Sequence, residues 1–137
     1  MDNSNQRLQD VFFYGLYMDE EILKSKKVQP RNKRIAIANG YKLRIGNMAT
    51  LLRQKDSKAY GLVYALTHEE IDTLYVKAGL TAYVTEALTI ELEDDSFISA
   101  LCCNLLNPPK EDECNMEYHQ KLEKCMKYYN LPFPKEV

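Results

Sequence analysis

The chain has 137 residues, of which 18 are Lys or Arg and 20 are Asp or Glu, giving a net charge of −2 at neutral pH. This length suits a single domain, and 45% hydrophobic with 28% charged residues is ordinary globular composition, which excludes disordered and fibrous classes. The near balance of charge provides no overall attraction to nucleic acid or to an anionic membrane, so we expect neither as a partner. Ten Tyr, beside four Phe and no Trp, are the unusual feature of the composition.

Residues 1–10 are polar and aperiodic, which predicts a flexible tail followed by one domain over residues 11–137. The first residues contain neither the basic region nor the apolar region of a secretory signal. No apolar run approaches the ~18 residues of a membrane span. We therefore expect a cytoplasmic protein with free thiols.

Residues 11–14 form a short apolar run closed by Gly15, which predicts a buried strand that enters a turn. Residues 19–24 begin with acids and end with Lys24, the charge order of a helix. Residues 24–34 contain six cations and no acid. Because no stacking aromatic lies among them, a solvated loop is favoured over a nucleic-acid site.

Residues 34–45 alternate around Asn39-Gly40, a strong hairpin signal that predicts two strands joined by a tight turn. Residues 48–52 and 60–66 predict two further strands, and the second is apolar on both faces, which places it centrally.

Thr67 and Glu70 have capping-box spacing and predict a helix that runs to about Tyr75. Residues 85–92 and 97–106 predict two more strands. Apolar positions at helical spacing after Asn115 predict a last helix. About six strands and three short helices in mixed order indicate one α+β domain with a strongly curled sheet.

The turn at residues 14–17 is the first candidate site. A strand that stops at Gly15 and passes into a helix start directs backbone N–H groups into one concavity, where they can bind a carboxylate or an oxyanion. The alternative is that Gly15 only permits a tight turn.

Glu86 is the second candidate. Alternation places it on the apolar face of its predicted strand, together with Val84 and Leu88. A carboxylate on such a face is costly unless it is paired or neutral, and a desolvated carboxylate suits the role of general base. The alternative is a position at the strand end, where the carboxylate reaches water or a cation.

No metal and no cofactor are expected. Three cysteines and one histidine could supply metal ligands, but none of them has the CxxC spacing of structural zinc sites: Cys103, Cys114, Cys125 and His119. The chain also lacks Walker, Rossmann, GxSxG and HExxH motifs.

Several of these segments resemble the gamma-glutamylcyclotransferase-like family, which includes the gamma-glutamylamine cyclotransferases and small bacterial relatives. Residues 13–18, Phe-Tyr-Gly-Leu-Tyr-Met, look like the family's opening turn. Residues 39–43 and 59–66 are similar to its Gly-Tyr-x-Leu and Val-x-Gly-x-x-Tyr-x-Leu strands. With the capped helix that follows, the resemblance covers roughly residues 11–105.

The resemblance implies a small mixed-sheet β-barrel with peripheral short helices and a cavity at one mouth. It implies cofactor-free release of 5-oxoproline, in which the amine of a gamma-glutamyl group attacks its own gamma-carbonyl. Five residues would bind the substrate: Tyr14, Gly15, Leu16, Tyr17 and Tyr83. The family's acidic residue corresponds to Ala78 here, so the expected base is absent and Glu86 is the candidate substitute.

Three hypotheses follow from these observations. The first is an active cyclotransferase that uses Glu86 as its base. The second is a binding module that keeps a pocket for a gamma-glutamyl or related carboxylate ligand without the chemistry. The third is a scaffold whose cationic residues 24–34 contact another protein.

Overall fold

The computed structural model describes residues 4 and 6–134. Its strands are β1 (Leu8–Phe13), β2 (Arg31–Ile45), β3 (Ala49–Thr67), β4 (Tyr83–Leu92) and β5 (Phe97–Leu105). Its helices are α1 (Glu20–Ser25), α2 (His68–Leu74) and α3 (Met116–Tyr128), and a single 3₁₀ turn covers Leu16–Met18. None of the described helices is long and apolar enough to span a membrane.

The five strands form a closed barrel in the order β1-β3-β2-β4-β5. The neighbouring strands run antiparallel except β1 and β5, which are parallel and pair at Val11 and Leu101. The sheet is therefore mixed, and the short helices lie outside it. This architecture confirms the α+β barrel expected from the sequence.

The prediction of a tight turn at Asn39-Gly40 is wrong. The strand β2 continues through both residues, and its pairing with β3 shifts register between Asn39 and Tyr41. Gly40 has a φ of +82°, a conformation that suits glycine, so the Asn-Gly pair supplies a bulge instead of a hairpin. The strands predicted at 48–52 and 60–66 are correspondingly parts of one long strand, β3.

The boundary predicted between a tail of residues 1–10 and a domain from residue 11 does not match the strand, because β1 begins at Leu8. Gln9 pairs with Leu66 in the sheet, and the Asp10 carboxylate forms an ion pair with Arg34 at 2.6 Å. Residues 1–3 and Asn5 lie outside the described part of the chain. The predicted helices at α1, α2 and α3 are confirmed, including the Thr67–Glu70 capping box of α2.

The core lies on both sides of β3, whose residues 61–67 are all buried. This confirms the central position predicted from its apolar faces. Tyr64 is fully buried, and its hydroxyl donates to the Met18 carbonyl at 2.7 Å. The Tyr129 hydroxyl, directly after α3, accepts the N–H of Glu20 in α1 at 3.0 Å. These bonds attach the 3₁₀ turn and the first and last helices to the barrel.

Candidate functional site

A cavity of about 320 Å³ opens where β1 ends and the 3₁₀ turn begins. Its wall comes from widely separated segments, and the lining side chains are mostly aromatic or aliphatic. The lining residues are Phe12, Phe13, Tyr14, Gly15, Leu16, Tyr17, Ile22, Lys26, Asn47, Met48, Ala49, Tyr75, Leu80, Tyr83 and Tyr118. Lys26 and Asn47 are exposed and mark the mouth. All five substrate-binding candidates from the sequence lie in this one wall.

Tyrosine rings form a continuous edge-to-face series along one side of the cavity. Tyr17 and Tyr75 have ring centroids 5.5 Å apart, and Tyr75 and Tyr83 have centroids 5.6 Å apart. Phe13 extends the series through Tyr17 at 6.3 Å. Such edge-to-face pairs stabilise one another beyond simple burial, so the series gives the cavity a defined shape.

Three tyrosines of the cavity wall donate their hydroxyl protons to backbone carbonyls. Tyr14 donates to the Cys103 carbonyl at 2.6 Å, and Tyr83 donates to the Ala49 carbonyl at 2.6 Å. Tyr17 donates to the Leu74 carbonyl at 2.8 Å. Burial raises the pKa of every tyrosine hydroxyl in the wall: Tyr14, Tyr17, Tyr75, Tyr83 and Tyr118. All five hydroxyls are therefore neutral at physiological pH.

The turn at residues 14–17 does not present all of its N–H groups to the cavity. The N–H of Leu16 donates to the Tyr118 hydroxyl at 3.1 Å. A Cβ atom at Gly15 would collide with the same hydroxyl, while the backbone of Gly15 has an ordinary extended conformation with φ −111°. The lack of a side chain at Gly15 therefore makes room for the Tyr118 hydroxyl, a contact that neither the anion-site hypothesis nor the tight-turn alternative included.

Lys26 is the cation of the cavity. It follows the last residue of α1, and its ammonium nitrogen lies 5.9 Å from the centre of the Tyr17 ring. Within the described part of the chain, no carboxylate lies within ion-pair distance of Lys26. Four other cations of residues 24–34 are in ion pairs: Lys24–Glu21, Arg31–Glu70, Lys33–Glu20 and Arg34–Asp10. The cationic segment is therefore largely neutralised on the folded surface.

Glu86 lies in β4 and is not among the residues that line the cavity. Its Oε2 atom accepts a hydrogen bond from the Asn104 side-chain amide at 3.0 Å. The other end of that buried amide accepts the N–H of Leu51 at 3.2 Å. Glu86 thus orients the Asn104 amide, which connects β5 to β3. This role concerns the stability of the barrel and not the cavity.

The segment that should carry an acid borders the cavity without supplying one. Tyr75 and Leu80 line the wall on either side of it, whereas Ala78 is exposed and does not. Gly79 adopts a φ of +76° directly after Ala78. Among the described lining residues there is no Asp or Glu.

Lys26 and Tyr118 are among the ten wall residues that the sequence did not predict as part of a site. Tyr118 is one of the positions at helical spacing that predict the last helix, and Lys26 belongs to the segment predicted to be a solvated loop. Tyr118 lies three residues after the Asn115 N-cap of α3, so its place on the first turn is readable from sequence. Its contact with Leu16 cannot be predicted from the sequence, because the two residues lie far apart in the chain. Among the described residues, no His, Cys, Asp or Glu cluster could hold a metal ion.

No family model and no curated protein sequence matches the chain. Several solved structures, however, are similar to this chain in fold. A gamma-glutamyl cyclotransferase is 18% identical over 92% of this chain and 82% of its own, with a TM-score of 0.74. A yeast gamma-glutamyl cyclotransferase specific to glutathione is 13% identical over 96% and 91%, with a TM-score of 0.65. An Arabidopsis thaliana protein solved in solution is 20% identical over 93% and 91%, with a TM-score of 0.68.

The chain therefore has the gamma-glutamyl cyclotransferase fold, and the resemblance noted in its sequence is confirmed at the level of fold.

Proposed function

We propose that the tyrosine-lined cavity binds a small carboxylate ligand of the gamma-glutamyl class. The observation that carries the proposal is the Lys26 ammonium at the mouth of a cavity whose described lining contains no acid. The volume of about 320 Å³ falls within the roughly 300–1,000 Å³ of small-molecule sites. One exposed cation beside an aromatic interior suits a ligand with one anionic end.

The fold also suggests a reaction, the release of 5-oxoproline. In it the amine of a gamma-glutamyl group forms a bond to its own gamma-carbonyl carbon, the bond to the leaving amine breaks, and a proton from the attacking nitrogen passes to the leaving amine. The attacking nitrogen starts as an ammonium and must first give a proton to a base. Glu86 does not line the cavity, and the neutral tyrosine hydroxyls are poor proton acceptors.

We therefore propose ligand binding as the principal function, with slow turnover. General-base help is typically worth ~10²- to 10⁴-fold in rate. We expect 5-oxoproline release to be slower by that factor than in a cyclotransferase with an acid in its pocket.

Calorimetric titration with gamma-glutamyl-benzylamide tests the proposal. Lys26→Met removes the charge but keeps the length of the aliphatic stem, and Lys27→Met is the matched control because Lys27 is exposed and does not line the cavity. We expect binding by the wild type and by Lys27→Met, with about tenfold weaker binding by Lys26→Met, the order of a charge-assisted hydrogen bond. The same samples are assayed for 5-oxoproline.

Equal affinity of the two variants would contradict the role of Lys26, and no binding by the wild type would overturn the proposal. A 5-oxoproline rate typical of an efficient enzyme would restore catalysis as the principal function.

A further inference from the structure

The wall of the cavity carries a single formal charge, and it is positive. Lys26 supplies that charge at the mouth, and the fourteen other lining residues are neutral or apolar. A gamma-glutamyl compound has two charges next to each other, an α-carboxylate and an α-ammonium. In the proposed binding mode, Lys26 would pair with the carboxylate and would repel the ammonium.

Three backbone carbonyls in or beside the wall already accept hydrogen bonds from tyrosine hydroxyls of the wall. The Ala49 carbonyl accepts a hydrogen bond from the Tyr83 hydroxyl at 2.6 Å. The carbonyls of Leu74 and Cys103 accept from the hydroxyls of Tyr17 and Tyr14. The tyrosine oxygens that remain are uncharged, whereas an ammonium brings three donors that all need acceptors.

A buried ammonium without a counter-charge is costly, because it loses its hydration and gains no ion pair. A ligand with a hydrogen atom in place of the ammonium would avoid that cost. The hydrogen would face aromatic rings and aliphatic groups of the wall such as Leu80 and Met48.

We propose that the cavity selects carboxylates that lack a free α-ammonium group, so that its preferred ligand is a desamino or N-acylated relative of a gamma-glutamyl amide. This inference rests on the proposed function, since it concerns the same cavity and the same carboxylate contact. It also accounts for the missing base: a ligand without a free amine has no nitrogen that could attack the gamma-carbonyl.

The test uses a matched pair of ligands, gamma-glutamyl-benzylamide and N-benzylglutaramic acid, which differ only in the α-ammonium. Calorimetric titration of the wild type should give a dissociation constant at least about tenfold lower for the desamino compound, because of the cost of an unpaired buried charge. Lys26→Met should weaken both ligands, since both have the carboxylate.

Leu80→Glu places an acid in the wall, and Leu80→Gln is its neutral match at the same half-buried position. We expect Leu80→Glu to shift the preference at least about tenfold toward the ammonium form, by providing the missing counter-charge, and Leu80→Gln to leave it unchanged.

The outcomes separate the two proposals. If neither ligand binds the wild type, the proposed function fails and this inference fails with it. If both bind equally, or the ammonium form binds more tightly, the carboxylate pocket stands and the selection against an ammonium is overturned. An unshifted preference in Leu80→Glu also overturns it.

Discussion

The hydroxyl of Tyr118 accepts the backbone N–H of Leu16 at 3.1 Å, across 102 residues of chain. The bond places a ring of the last helix directly over the turn that follows the first strand. The same hydroxyl occupies the space beside Gly15, where the Cβ atom of any other residue would overlap it.

Gly15→Ala should therefore be destabilising for a reason that depends on Tyr118. We expect the free energy of unfolding to fall by about 1–3 kcal/mol, the usual cost of overpacking. In a Tyr118→Phe background the colliding oxygen is gone, and the nearest remaining ring atom lies 3.8 Å from the new Cβ. The alanine should then cost less than about 1 kcal/mol, as measured by urea denaturation of the four proteins in a double-mutant cycle. An equal cost in both backgrounds would contradict the contact.

Glu86→Gln should leave the rate of 5-oxoproline release unchanged within about twofold, well below the effect of a lost general base. It should also preserve stability, because the glutamine oxygen can still accept the Asn104 amide. Glu86→Ala removes that acceptor from a buried amide, and we expect it to cost about 1–3 kcal/mol. Product assay and chemical denaturation check both outcomes. A rate drop of a hundredfold in Glu86→Gln would show that this carboxylate is the base.

Glu70 should make stability depend on pH in the acid range. Burial acts to raise the pKa of this carboxyl, but hydrogen bonds from Arg31, the N–H of Gln29 and the N–H of Thr67 outweigh burial, so that the pKa lies below the ordinary value of 4.5. The stabilisation is therefore fully present above pH 4.5 and is lost as the pH falls through the lowered pKa.

Glu70→Gln tests this dependence, because glutamine keeps the capping geometry and loses the charge that Arg31 contacts at 2.7 Å. We expect it to be less stable than the wild type by about 1–2 kcal/mol at pH 7, as for a lost charge-assisted hydrogen bond. The difference should shrink as unfolding is measured at successively lower pH below 4.5. A difference that stays constant to pH 3 would refute the linkage.

The four cysteines should differ sharply in reactivity. Cys114 is exposed, whereas the other three are buried, and burial raises the pKa of their thiols, to about 12 for Cys125. Since the thiolate is the reactive form, a disulfide reagent at pH 8 should label one thiol rapidly and three only after unfolding. Cys114→Ser should lose the rapid phase, and a second rapid thiol in that variant would contradict the burial of the others.

Local signals in the sequence predicted the elements whose stability is local. The capping box at Thr67 and Glu70 satisfies backbone donors within four residues, so its helix is readable from the chain alone. Asn39-Gly40 shows the limit of such signals. The conformation with positive φ that favours glycine serves a hairpin turn and a bulge equally, and the pairing of β2 with β3 over its whole length decides between them.

The site was predictable only where it depends on neighbouring residues of the chain. Tyr14 to Tyr17 follow a strand that ends at a glycine, and this pattern indicated the turn correctly. Lys26 and Tyr118 reach the cavity through tertiary contacts, which no spacing in the sequence encodes. The position of Glu86 also depends on a partner, Asn104, in another strand.

The contribution of α3 to the wall has a consequence for the order of events during synthesis. Synthesis runs from the N-terminus, so Leu16 is added to the chain 102 residues before Tyr118. The complete wall of the cavity therefore exists only after the last helix has docked on the barrel. A cut within residues 106–115 would release the cavity from that helix while leaving each barrel strand intact.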